Sequence, residues 1–294
     1  MKGKCYAYGK AGFKLSYSGN FGKTPASPIP TALPEPAYTT YNGYTRGAQA
    51  AAGLYPNSNG MTMSPDGTKV YAVNHNGSSE GFTNDAITQY DLSTAWDLTT
   101  MSGAIGSTIS LNAFPSFTDG SPQSAFFSPD GLNLYVSGQS NRVFRFTLST
   151  AYLVSTSTAN SSIATGLTLA NGISFSQDGT KMFVVTTSSI VRRFTLSVAW
   201  DITTATIDAQ TLTINGGALH FSTSGLVLYT QGLGLVKYYL NTAWDLSSYV
   251  KTVSSVALSS LTGVTGGGIY LSPDETKFFL SGYTAYPVKR FEIN

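Results

Sequence analysis

Cysteine, histidine and charged residues are scarce in this sequence, and long apolar runs are absent from it. One cysteine among 294 residues excludes an intramolecular disulfide. The two histidines are too differently placed to make a metal set. No apolar run approaches the roughly 20 residues that a membrane-spanning helix needs, and the first residues lack the apolar core of a signal peptide. We therefore expect no membrane span, no metal and no ordinary secretion.

A short turn motif recurs five times. Ser-Pro-Asp-Gly or a close variant begins at Ser64, Ser128, Ser176, Ser222 and Ser272, at intervals of 64, 48, 46 and 50 residues. Proline presets φ, the Asp carboxylate can accept backbone N–H bonds, and glycine tolerates positive φ, so each copy predicts a tight turn. Flanking apolar segments alternate with period two, which predicts strands. The spacing fits units of four short strands.

A polar nonapeptide follows the first four turns but not the fifth. Its copies are LSTAWDLTT (92–100), LSTAYLVST (148–156), LSVAWDITT (196–204) and LNTAWDLSS (240–248). After residues 287–294 the fifth unit still lacks its fourth strand. We expect residues 37–49 to supply that strand, because a ring closed in this way leaves no open strand edge.

Four antiparallel strands repeated radially form a β-propeller. We therefore predict an all-β fold, a five-bladed propeller over residues 37–294, with repeats starting near residues 59, 123, 171, 217 and 267. The sequence resembles the YVTN-type and WD-like propellers that carry Ser-Pro-Asp-Gly repeats. The Leu-Ser-Thr-Ala-Trp-Asp turn is similar to a variant found in bacteriophage virion proteins and some bacterial surface proteins. The resemblance covers roughly residues 38–294, and it is specific for the fold rather than for function.

Residues 1–36 differ from the rest of the chain in charge and proline content. Residues 1–34 hold five lysines and no acid, so of the net charge of +2 they carry +5 and leave −3 to the remainder. Five prolines in residues 24–36 favour an extended spacer. The segment is either a disordered cationic tail or an arm that orders on an acidic partner. Nucleic acid is disfavoured because arginine is absent from the segment. For particle anchoring we single out Lys2, Lys4, Lys10, Phe13 and Lys14.

Most acidic residues are explained by the repeat. Seven have turn positions: Asp66, Asp97, Asp130, Asp178, Asp201, Asp245 and Asp274. Glu80, Asp85, Asp119 and Asp208 have no repeat role. The first three lie in two expanded loops, at residues 74–85 and 112–122, which share one face of a propeller.

Loops held on a rigid scaffold commonly bind ligands, so we predict a binding surface on this face. Its candidate residues are His75, Asn76, Glu80, Phe82, Asp85, Phe114, Phe117, Asp119, Tyr283 and Tyr286. We expect Phe114 and Phe117 to be exposed there. Two alternatives stay open: loop lengths that drift freely, and a calcium ion held by Glu80, Asp85 and Asp119.

No catalytic motif or cofactor fingerprint is present in the sequence, so we expect a protein without enzyme activity and without a cofactor. The resemblance implies a phage virion protein, a tail or head fibre or decoration, assembled in the host cytoplasm. Its arm would dock on other virion proteins and its propeller would bind a host glycan or protein; an oligomer is possible. Two alternatives are a bacterial protein-interaction propeller and a carbohydrate-active enzyme that uses Glu80 with Asp119. His220 is expected to pack between blades.

Overall fold

The computed structural model describes residues 6–8, 14–16, 38–40, 58–75, 85–102, 107–114, 117, 121–167, 169–231, 234–257, 267–281 and 288–293. Contacts divide the chain into two compact units, Met1–Glu35 and Pro36–Asn294. In the first unit, β1 (Tyr6–Tyr8) and β2 (Lys14–Ser16) pair antiparallel as a short hairpin. The sequence patterns did not predict this hairpin.

The second unit is a five-bladed β-propeller, as predicted. It begins with β3 (Tyr38–Thr40). Blade 1 comprises β4 (Ser58–Met63), β5 (Lys69–Asn74), β6 (Ala86–Asp91) and β7 (Ser107–Ser110). Blade 2 comprises β8 (Pro122–Phe127), β9 (Asn133–Gly138), β10 (Arg142–Leu148) and β11 (Ser157–Ala164). Blade 3 comprises β12 (Ala170–Phe175), β13 (Lys181–Thr186), β14 (Ile190–Leu196) and β15 (Ala205–Thr213).

Blade 4 comprises β16 (Ala218–Phe221), β17 (Val227–Gln231), β18 (Gly234–Leu240) and β19 (Tyr249–Ala257). Blade 5 comprises β20 (Ile269–Leu271), β21 (Lys277–Leu280) and β22 (Lys289–Ile293), with β3 as its fourth strand. The four strands of each blade, in their order across the sheet, are called A to D. β3 pairs antiparallel with β22, Thr39 opposite Glu292. The predicted closure of the last blade by an N-terminal strand is therefore confirmed.

Helical structure in the described residues is limited to short 3-10 turns. They span Leu98–Thr100, Leu111–Ala113, Val154–Thr156, Ile202–Thr204 and Leu246–Ser248. Four of the five lie within the nonapeptides. Asp97, Asp201 and Asp245 cap three of them by accepting a backbone N–H two residues later. Over the same part of the chain, no helix is long and apolar enough to cross a membrane.

The core of the propeller is divided among the contacts between neighbouring blades. Five clusters of buried apolar residues occur, and each combines residues from two adjacent blades. Tyr71 of blade 1 packs with Phe127 of blade 2, for example, and Phe183 of blade 3 packs with Phe221 of blade 4. A single blade therefore cannot bury its own faces, which is the physical reason for the repeat.

Each Ser-Pro-Asp-Gly motif forms a hydrogen-bonded turn between strands A and B. In blade 1 the Ser64 hydroxyl donates to Asp66 Oδ1 at 2.5 Å, and the Lys69 backbone N–H donates to the serine oxygen at 3.0 Å. The equivalent pair recurs in blade 5, where the hydrogen bond from Ser272 is the largest cause that lowers the pKa of Asp274 to about 2. These aspartates therefore act in the turn as hydrogen-bond acceptors.

The aromatic residue of each nonapeptide packs on the glycine of its own turn. Trp96, Tyr152, Trp200 and Trp244 have φ values of 67°, 58°, 65° and 62°. A Cβ built on Gly67, Gly131, Gly179 or Gly225 would fall within the corresponding ring. Glycine is therefore needed at these positions for its positive φ and also for the close approach of the ring.

The same aromatic residue connects its blade to the preceding one. Arg193 of blade 3 donates from Nη1 to the carbonyl oxygen of Trp244 at 3.1 Å. Arg290 of blade 5 makes the equivalent bond to Trp96, also at 3.1 Å. The nonapeptide is thus a contact between blades. Because any residue would supply this backbone carbonyl, the tryptophan itself is needed for its ring, which packs on the turn glycine and, in Trp200, stacks with Phe126 of the preceding blade.

Glu275 replaces the turn glycine in blade 5, which has no nonapeptide. Its φ is 56°, so the turn conformation is retained. Its Oε1 accepts the Thr223 backbone N–H at 2.8 Å and also the Thr223 hydroxyl. The carboxylate therefore links the turns of blades 4 and 5 where the aromatic contact is missing.

Candidate functional site

A cup of about 270 Å³ lies on the axis of the propeller, on the face that carries the A-to-B turns. Its position follows from its lining, because all five blades contribute equivalent residues. One residue from each A strand lies two positions before the turn serine: Thr62, Phe126, Ser174, His220 and Tyr270. One residue from each turn follows the serine: Pro65, Pro129, Gln177, Thr223 and Pro273. Tyr152, Trp200 and Trp244 add aromatic surface.

The A strands come too close together for a side chain at a level below the cup. A Cβ on Gly60 would strike the carbonyl oxygen of Gln123 in the next blade. One on Gly268 would strike the backbone nitrogen of Met61. These glycines lie two residues before Thr62 and Tyr270, so the cup begins where the strands diverge and larger side chains fit.

The A strands bring four polar groups with unused hydrogen-bonding capacity to the cup. They are the hydroxyls of Thr62, Ser174 and Tyr270 and the imidazole of His220, one from each of four blades. Thr62, Ser174 and Tyr270 are only 5%, 1% and 7% exposed. None of the four side chains has a hydrogen-bond partner among the residues that the structure describes. None of their polar atoms is among the fully buried atoms that lack a partner, so all four are open to the cup. Polar groups that converge in a concave site with apolar walls indicate a ligand site.

The cup carries no formal charge at neutral pH. Its lining includes no aspartate, glutamate, lysine or arginine. Burial raises the pKa of Tyr270 far above its ordinary value, so its hydroxyl stays protonated. Burial also lowers the pKa of His220 from 6.5 to about 4, so its imidazole is neutral. Part of the ring faces the cup, but protein atoms surround it closely, and it packs on Tyr270 with ring centroids 5.3 Å apart.

This histidine makes a specific pH dependence of stability testable. Because the folded pKa lies below the ordinary value, the unfolded state takes up the proton first as the pH falls. Stability from this group is complete above about pH 6.5 and declines toward pH 4. We expect the wild type to lose about 1 kcal/mol more than His220→Gln between pH 7 and pH 5, a value reduced for the partial solvation of the ring. Urea unfolding at each pH measures the difference.

The comparison with His220→Gln cancels the other titrating groups. Asp66, Asp178 and Asp274 also have lowered pKa values, but their contribution is lost only below about pH 3.8. Parallel pH profiles of the two proteins between pH 7 and pH 5 would contradict the desolvation of the imidazole.

The predicted loop-face residues fall partly outside the described part of the chain. Asn76, Glu80, Phe82, Asp119, Tyr283 and Tyr286 lie outside the described residues. Of the others, His75 is half-buried, and its Nδ1 lies 3.0 Å from Oδ1 of the buried Asp85. Where the structure is described, no group of three His, Cys, Asp or Glu residues could hold a metal ion. The binding role of this face stays a prediction.

The expectation that Phe114 and Phe117 are exposed is wrong. Phe117 is 7% exposed, and its ring centroid lies 4.7 Å from that of Phe144. Phe114 is partly buried and meets Phe146 edge to face at 5.2 Å. Both rings therefore extend the core between blades 1 and 2, and their substitution would reduce stability whatever they bind.

The proposed anchoring residues also remain a prediction. Lys2, Lys4, Lys10 and Phe13 lie outside the described residues, and Lys14 begins β2. The arrangement of the cup, in contrast, was missed from sequence. His220 does contact the next blade, as expected, but it also lines the cup. A signal was present: aligning the five turn serines places Thr62, Phe126, Ser174, His220 and Tyr270 at one position.

No family profile matches the sequence, and comparison with curated proteins gives no match. Among solved structures, the chain is similar to a candidate 6-phosphogluconolactonase from Bacteroides uniformis, with TM-score 0.48 and 18% identity over 82% of this chain and 69% of that one. It is also similar to the β-propeller domain of Cps50 (Swd1) from Myceliophteria thermophila, with TM-score 0.46 and 10% identity over 88% of this chain and 100% of that one. Neither likeness assigns an activity or a partner.

The fold and the cup define a class of protein rather than a reaction. A five-bladed propeller fits a role in protein interaction or recognition.

Proposed function

We propose that this chain is a non-enzymatic recognition protein of a bacteriophage virion. In this proposal residues 1–36 attach to the particle, and the propeller binds a host-surface glycan or protein in its central cup. The recognition role is supported above all by the four polar groups that converge on the cup without partners in the described structure. Aromatic side chains around them supply rigid apolar contact area, and the polar groups would fix the orientation of a ligand.

The virion assignment is supported by the resemblance of the Leu-Ser-Thr-Ala-Trp-Asp turn and by the composition of the first segment. Five lysines with no acid in residues 1–34 suit attachment to an acidic partner surface. The separate compact unit Met1–Glu35 supports a role distinct from that of the propeller. Mass spectrometry of purified particles tests the assignment, because a virion protein would be recovered in constant proportion to the other components.

A bulky side chain at the rim should block recognition. Gln177 is exposed on the turn of blade 3 and lines the cup, so Gln177→Trp places a large ring over the opening without disturbing the core. We expect the labelled full-length variant to bind bacterial cells at least tenfold more weakly than the wild type. Flow cytometry over a panel of strains measures this, once the strains that the wild type binds are known.

Leu226→Trp provides the matched control. Leu226 is 39% exposed on the turn of blade 4 and does not line the cup. This variant also carries an added indole ring on an exposed turn of the same face and should bind cells normally. Undiminished binding by Gln177→Trp would refute the cup as the recognition surface. In that case Glu80→Ala with Asp119→Ala tests the loop face, with Phe114 and Phe117 left intact because they belong to the core.

A further inference from the structure

We propose that the cup binds one neutral pyranose residue of a glycan. This inference rests on the proposed function, in which the cup is the recognition surface, and it names the chemistry of the ligand. The first observation is the radial placement of the polar groups. Thr62, Ser174, His220 and Tyr270 come from four different blades, so they surround the axis instead of lying along one wall.

A ligand for this arrangement must carry hydrogen-bonding groups around its perimeter. A pyranose does so, because its hydroxyls radiate from the ring while its C–H groups form two apolar faces. An apolar side chain of a protein partner would exclude water from four polar groups and satisfy none of them, which is costly. The cup therefore favours the sugar over a phenylalanine or leucine side chain.

The charge and the volume of the cup narrow the chemical class of the ligand further. A carboxylate or phosphate would lose its hydration in a cup that has no cationic side chain in its lining. A volume of about 270 Å³ lies just below the range of about 300 to 1,000 Å³ typical of sites for drug-sized ligands, and it suits a single ring. We infer an uncharged hexose or N-acetylhexosamine, held as a terminal residue or a branch.

The aromatic residues that line the cup also favour a sugar as the ligand. Trp200, Trp244 and Tyr152 line the cup together with Phe126. The ring atoms at the wall of the cup offer rigid apolar contact area to the C–H groups of a sugar, while the sugar hydroxyls stay free for the polar groups.

The test uses the full-length protein and ligand-observed NMR, which detects weak binding. The probes are the methyl α- and β-pyranosides of glucose, galactose, mannose and N-acetylglucosamine, with methyl glucuronide as the charged counterpart. We expect saturation transfer to at least one neutral pyranoside, with a dissociation constant near 1 mM or lower. Methyl glucuronide should bind at least tenfold more weakly than that pyranoside.

Two cup variants and one control locate the binding. Thr62→Val with Ser174→Ala removes two hydroxyls while nearly conserving side-chain volume, and it should weaken binding of the pyranoside at least tenfold. Thr94→Val with Thr150→Val removes two exposed hydroxyls outside the cup and should change nothing. If the first variant melts early, Gln177→Trp replaces it, because that substitution lies on an exposed turn. Pyranoside binding that survives both cup variants would overturn the proposed site.

The remaining outcomes separate the ligand class from the proposed function. N-acetyl-phenylalanine amide and uridine serve as probes of other classes. Binding of either probe in the cup, with no pyranoside bound, would overturn the proposal that the ligand is a sugar. The absence of binding by every probe would overturn it as well. If cell binding still depends on Gln177 in that case, the cup remains the recognition surface with another ligand. If cell binding is also unaffected by Gln177→Trp, the proposed function fails as well.

Discussion

Replacing Trp200 with alanine is expected to lower the free energy of unfolding by about 3 kcal/mol. This value is at the lower end of the range for removing a large aromatic side chain, because the ring is only half-buried. The ring lies between blades 2 and 3. Its centroid is 5.5 Å from that of Phe175 in its own blade and 6.5 Å from that of Phe126 in the preceding one. Its removal would also uncover Gly179, on which it packs.

Two further substitutions at Trp200 separate the ring from the backbone. The equivalent residue in blade 2 is Tyr152, so Trp200→Tyr should cost less than about 1.5 kcal/mol. Trp200→Gly should be about 1 kcal/mol more stable than Trp200→Ala, because glycine adopts the φ of 65° without strain. Chemical unfolding followed by circular dichroism measures all three variants. A loss below 1 kcal/mol for alanine would mean that the ring does not hold the two blades together.

Much of the fold could be predicted from the sequence because its turns are encoded locally. Serine spacing and Ser-Pro-Asp-Gly chemistry fix where strands A and B meet, and alternation marks strand C. The missing fourth strand of blade 5 indicated closure by an N-terminal segment, since an open edge would be unfavourable. Each of these features is determined by a few neighbouring residues or by the number of strands in each repeat.

The packing role of the nonapeptide tryptophans required the structure. Their positive φ and their contact with the turn glycine depend on two segments that are about 20 or more residues apart, such as Gly67 and Trp96. Glu275 is the converse case, a turn residue whose partner segment is missing. It could replace glycine because blade 5 has no aromatic ring to place over the turn.

The cup was missed for a related reason. Five different residue types occupy the inward position of the A strands, so the position does not resemble a motif. The expanded loops resemble binding loops more closely, and the sequence does not show that the Phe117 ring packs on Phe144. Residues from distant blades meet at the propeller axis only after the ring has closed.

Removal of β3 is expected to abolish cooperative unfolding of the propeller. β22 pairs with β21 on one side and with β3 on the other, so without β3 its outer edge is open. Blade 5 also completes the contact with blade 1, where Phe279 packs on Trp96 and Arg290 donates to the Trp96 carbonyl. A loosened blade 5 would expose this cluster to solvent and leave a strand edge that promotes aggregation.

Two truncations that differ by five residues isolate this effect. A protein beginning at residue 36 lacks only the first compact unit, and we expect it to melt in one transition close to that of the full-length propeller. A protein beginning at residue 41 also lacks β3, and it should aggregate or melt broadly at a lower temperature. A synthetic peptide of residues 36–49 should restore the cooperative transition as its concentration rises, since it can add to the open edge as a strand. If both truncated proteins melt cooperatively at the same temperature, β3 does not hold the ring closed, and the contacts between blades 5 and 1 must be sufficient without it.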